Sequence, residues 1–130
     1  MIKNFETLTF ELTSDEKFVV EKIIKRFENL KGKEFIVTGE QIREGINKNL
    51  NMNFDMIRIR KMIQFIRTND LVAGLIATSK GYYVAKTAEE IEDWIESLKS
   101  RENAIRKIRE VAEQTVREMK SRTIQTQLFA

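Results

Sequence analysis

Between Gly39 and Lys86 the apolar residues first recur at helical steps and then alternate, and this switch constrains the fold more than any other feature of the chain. Thr38 is placed to cap a helix from Gly39 to about Asn47 that turns Ile42 and Ile46 inward. Asn47 to Asn53 is rich in asparagine, which favours turns over helix interiors. A further helix is predicted from Phe54 to Asn69, with Phe54, Ile57, Met62, Ile63 and Ile66 as its apolar surface, while Ile59 and Phe65 fit that stripe less well. Two β-rich runs follow, Leu71 to Ala77 and Gly81 to Ala85, around the turn Thr78-Ser79-Lys80-Gly81. Alternation there sends one of Tyr82 and Tyr83 inward and leaves the other to the surface.

The flanking segments extend this pattern in both directions. Met1 to Leu12 offers Phe5, Leu8, Phe10 and Leu12 as an extended arm. Thr13 or Ser14 before Asp15 and Glu16 makes an N-cap with an acidic first turn, and Phe18, Val19, Ile23, Ile24, Phe27 and Leu30 then mark a first helix up to Lys31-Gly32. Phe35, Ile36 and Val37 are β-formers suited to a short strand beside the hairpin. From Thr87 to Arg122 there is neither glycine nor proline, so one helix of roughly 54 Å is predicted. Along it Ile91, Leu98, Ile105, Ala112 and Met119 recur every seven residues, and Trp94 and Ile108 fall three residues later in their heptads, although Arg101, Thr115 and Arg122 interrupt this second series. The pattern predicts a homodimer seam, with a fold-back hairpin as the alternative. The chain is thereby divided into a first domain with its arm (residues 1–86), a dimerisation helix (87–122) and a flexible tail (123–130).

Charge is distributed unevenly. The formal charge is only +3, yet residues 58–86 hold six Lys or Arg against Asp70 alone, a local +5, whereas 87–122 carry eight basic and nine acidic residues. A local basic patch attracts phosphates. With no cysteine and no histidine, disulfides, thiolate chemistry and a His base or His-based metal site are excluded, and no cofactor, no metal and no enzyme activity are expected. The N-terminus lacks a basic region followed by an apolar run, and no stretch approaches a membrane span, which predicts a cytoplasmic protein without a membrane partner.

Helix, turn, helix and hairpin in this order predict an α+β winged helix-turn-helix domain followed by a long C-terminal helix, a layout most often used to bind double-stranded DNA. On that reading Asn51, Asn53, Asp55, Arg58 and Arg60 face the major groove, Lys61 and Arg67 lie nearer the phosphates, and Arg43 and Lys48 add positioning contacts. The wing offers Tyr82 and, at its tip, two hydroxyls, Lys80 and a glycine able to take positive φ. The bland alternatives are that the asparagines only cap, that the cations are a solvated helix face, and that the tip is an ordinary exposed turn.

The texts IRKMIQFIR (Ile59 to Arg67), SKGYYVAK (Ser79 to Lys86) and EEIEDWIESLKSR (Glu89 to Arg101) resemble the winged helix-turn-helix proteins that bacteriophages and integrated prophages encode, over roughly residues 16–109. The resemblance implies a DNA-binding regulator of transcription or a replication accessory in a bacterial host cell, and carries over no active site. At the C-terminus Gln125, Leu128 and Phe129 resemble the Gln-x-x-Leu-Phe pentapeptide that binds the bacterial sliding clamp, which implies as an alternative a protein-interaction module acting on a replication protein.

Overall fold

In the computed structural model, residues 11–129 are described, and the chain divides after Ile91 into two compact units. The expected arm, with Phe5, Leu8 and Phe10, lies outside the described residues except for its end, where Leu12 is buried in the core.

Thr13 opens helix α1 (Ser14–Asn29) with a reciprocal cap. Its hydroxyl accepts from the Glu16 N–H at 3.2 Å, and the Glu16 carboxylate accepts from the Thr13 N–H at 2.9 Å. The helix buries Val19, Val20, Ile23, Ile24 and Phe27, but Phe18 and Leu30, assigned to the same stripe from sequence, remain exposed. Next comes a 3-10 turn (Lys33–Phe35) in place of the expected strand. Gly32 N–H donates to Val84 C=O at 2.8 Å and Val37 exchanges both backbone bonds with Tyr82. Five residue steps on one segment thus face two on the other, and the surplus loops out, leaving an isolated bridge between Val37 and Tyr82 rather than a third strand.

Helix α2 (Gly39–Asn49) repeats the capping box with Thr38 and Gln41, buries Ile46 and half-buries Ile42. It runs two residues past the end expected from sequence. Asn51, at φ 51°, then turns the chain, and the Asn47 side chain holds both the N–H and the C=O of Phe54, at 2.8 and 3.0 Å. Helix α3 (Met56–Thr68) is capped by Asp55, whose carboxylate accepts from the Arg58 N–H at 2.9 Å.

The inward face of α3 is Ile59, Met62, Ile63 and Ile66, while Ile57 is 75% exposed. This reverses the expectation for Ile57 and Ile59. The four buried residues follow i, i+3, i+4, i+7 spacing, and Ile57 stands two residues before the first of them, on nearly the opposite side of the helix.

After α3, Asp70 at φ 51° lets Leu71 N–H reach back to Ile66 C=O at 3.0 Å. Leu71 and Val72 are buried, but in a loop rather than in the predicted strand, because the left-handed residue Gly74 (φ 77°) separates them from the hairpin. Strand β1 (Leu75–Thr78) pairs antiparallel with β2 (Gly81–Val84), with Leu75 opposite Val84 and Thr78 opposite Gly81, so Ser79 and Lys80 form the turn. The core gathers side chains from α1, α2 and α3 together with Leu75 and Val84. Fold class is therefore α+β, with helices around a two-stranded antiparallel sheet, and a long C-terminal helix.

That helix, α4 (Ala88–Phe129), spans 42 residues. Thr87 accepts from the Glu90 N–H at 3.3 Å at its start. It does not end near Arg122 as expected; the segment assigned to a flexible tail stays helical through Phe129. No glycine or proline interrupts it, and the Thr123 and Thr126 hydroxyls bond back to Met119 and Arg122 carbonyls at 3.0 Å. Ion pairs one turn apart, such as Arg109 with Glu113 at 2.9 Å, add local support.

Candidate nucleic-acid interface

The basic residues proposed from sequence fall into two groups. Arg58 and Lys61 turn toward α1, where both converge on Glu16, a carboxylate only 1% exposed. Lys61 Nζ lies 3.0 Å from Glu16 Oε1, Arg58 Nε lies 3.4 Å from Oε2, and Asp15 is 3.7 Å from the same guanidinium. The Arg58 guanidinium also sits 4.2 Å from the centroid of the Phe54 ring. Burial pushes the Glu16 carboxyl up, but the Thr13 N–H, Lys61 and Arg58 together outweigh it and hold the group below its ordinary value. Arg58 is therefore part of a clamp between α1 and α3 rather than a free groove-facing side chain.

Other predicted contacts are also engaged within the fold. Arg43 pairs with Glu40 one turn away, and Lys86, counted in the local basic patch, pairs with Glu34. Asp55 serves as the α3 cap, and Asn51 supplies the left-handed turn; Asn53 is exposed. Tyr83 is buried, whereas Tyr82 is half-buried against the core and pairs its backbone with Val37. At the hairpin tip the Thr78 hydroxyl accepts from Lys80 N–H and donates to Gly81 C=O, both at 3.1 Å. Gly81, at φ 134°, does not open the tip outward: a Cβ there would stand 2.5 Å from the Val37 carbonyl oxygen. Its lack of a side chain serves the bridge to Val37.

What stays exposed is coherent. On the outward side of α3 stand Ile57, Arg60, Gln64, Arg67 and Thr68, at helical intervals and with no acidic residue anywhere in the helix. Arg60 and Arg67, with Lys48 and the hairpin's Lys80, are exposed and have no ion-pair partner among the described residues. Ile57, Gln64 and Thr68 were absent from the sequence-derived set. A helical wheel started at Ile59 would have found them, whereas the local sequence places Glu16 at the N3 position of a Thr-x-x-Glu cap without showing that it is buried or that α3 supplies its cations.

In the second unit, Leu98, Ile105, Ile108, Ala112 and Met119 are exposed, joined by Val116, while Ile91 of the first unit and Trp94 are half-buried. Leu128 is 70% exposed on the helical C-terminal segment; the side chains of Gln125 and Phe129 lie outside the described set. Among the described residues no group of three or more acidic residues is arranged to hold a metal ion, and no helix is long and apolar enough to cross a membrane. No family model, no curated protein and no solved structure matches this chain.

Proposed function

We propose that the first unit is a winged helix-turn-helix domain that binds duplex DNA with the outward face of α3, as a phage or prophage regulator of transcription or replication. The observation that carries this reading is the α3 face itself: Arg60, Gln64 and Arg67 beside an exposed isoleucine, in a helix without a carboxylate, the two arginines having no ion-pair partner among the described residues. Arginine and glutamine are the side chains that pair with guanine and adenine edges, and an apolar side chain can meet the thymine methyl. Lys48 and Lys80 are the candidate phosphate contacts. The phage or prophage setting rests on the sequence resemblance alone.

The test is titration of labelled duplex at rising salt. Binding should weaken steeply with salt through counterion release, and replacing Lys48 and Lys80 by alanine should lower the salt slope by about 2. Absence of binding at low salt refutes the reading. Two copies would associate through the exposed row from Leu98 to Met119, which supports a dimer of DNA-binding units. Sedimentation equilibrium should then show a dimer, and Ile105→Lys with Ile108→Lys a monomer.

The exposure of Leu128 favours a second reading, sliding-clamp recognition by Gln125, Leu128 and Phe129. Calorimetry with purified clamp, comparing the native chain with Leu128→Ala, tests it.

A further inference from the structure

A groove of about 290 Å³ lies between α1 and α2, away from the α3 face. Its wall is built from Ile23, Phe27, Val37, Ile42, Ile46 and Leu50, so it is apolar and concave, and its volume falls at the small end of the range for small-molecule sites. The polar groups in the wall are two cations, Lys22 and Arg26, and two amides, with no carboxylate among them. That balance selects the sign of a ligand's charge.

Arg26 is under-used. Its Nη2 donates to the Phe35 carbonyl at 2.9 Å, while Nη1 is shut off from solvent without an acceptor. Buried donors in folded proteins almost always have a partner, so a buried guanidinium nitrogen without one, beside an apolar groove, is a donor with bonding capacity to spare. Burial also holds the Arg26 guanidinium below its ordinary pKa, as expected for a cation lacking compensation.

Gly45 is the second observation. It stands inside α2 on the groove wall, where glycine is a poor helix former, and neither a left-handed φ nor crowding calls for it. A Cβ at this position would meet nothing within 4 Å, so the missing side chain leaves the groove open.

We infer that this groove binds a small carboxylic acid with an apolar body, the body lying against Phe27 and Ile46 and the carboxylate received by Arg26 and Lys22. A guanidinium recognises a carboxylate through paired, charge-assisted hydrogen bonds, and its flexible stem lets it turn to do so. The inference does not depend on DNA binding, since it concerns a different face and is read by direct binding.

Phenylacetate is a suitable probe and phenylacetamide its uncharged counterpart, each titrated into the full chain and followed by amide chemical shifts. Saturable shifts centred on Ile23, Arg26 and Gly45 are expected for the acid, with the amide weaker by roughly tenfold or more through loss of the charge-assisted bonds. Arg26→Gln should weaken the acid by a similar factor. Gly45→Leu should abolish binding by filling the groove while improving the helix, so its melting temperature should equal or exceed that of the native chain. Equal binding of acid and amide, undiminished binding in Gly45→Leu, or no saturable shift with phenylacetate at millimolar concentrations would overturn the assignment.

Discussion

Glu16→Gln separates two roles that one buried carboxylate performs. The amide retains a carbonyl oxygen for the Thr13 N–H, as Gln41 does for Thr38 at 2.9 Å at the start of α2, so the cap on α1 should survive. The ion pairs with Lys61 and Arg58 should not. Those cations are 47% and 36% exposed, so water recovers much of their loss, and each pair contributes about 0–1 kcal/mol in the manner of a surface bridge. The larger cost is the new NH2 group, buried and facing two cations, which amounts to about 1–3 kcal/mol for an unsatisfied donor. Together these predict a destabilisation of about 1–5 kcal/mol by urea unfolding; Glu16→Ala buries no NH2 but gives up the bond from the Thr13 N–H, one half of the capping box, and should be destabilised by about 1–3 kcal/mol. At the same time Arg58 and Lys61 are released from neutralisation, so duplex affinity at low salt should rise and the salt slope steepen by up to about 2. A variant within about 0.5 kcal/mol of the native chain would refute the clamp between α1 and α3. A loss of stability with unchanged DNA affinity would show that the released cations do not face phosphate.

The same residue predicts an acid response. Folding holds its carboxyl below the ordinary 4.5, so near and below that pH the unfolded chain binds more protons and stability falls as pH drops; the gap between native and Glu16→Gln urea midpoints should shrink from pH 7 to pH 3. Ile57→Ala should leave stability within about 0.5 kcal/mol yet weaken DNA binding, whereas Ile59→Ala should cost about 2–5 kcal/mol, both measured by urea unfolding and duplex titration. Gly81→Ala should destabilise the first unit by about 2–4 kcal/mol, since it places a methyl against the Val37 carbonyl at a left-handed φ, and a native-like melting curve would contradict that.

Local chemistry made much of the architecture legible. The N-caps at Thr13 and Thr38, the Asn-rich turn and the hairpin around Ser79 and Lys80 depend on neighbours within a few residues, and their signals are written consecutively in the chain. The long helix was visible for the same reason, because nothing between Thr87 and Arg122 breaks it; the error at its end came from treating a polar composition as a stop, when helices stop at glycine, proline or a cap. The assignments that failed depend on which elements meet. Ile57 and Ile59 are the same residue type two positions apart, and only the packing of α3 on the core decides which is buried. Arg58 and Lys61 read as free cations until α1 is docked, because their partner Glu16 stands more than forty positions away and looks, in sequence, like one more acid in a first turn. Charge counted along a chain is additive, but the field at a surface is not: a buried carboxylate brought in by the fold cancels cations that local composition leaves exposed.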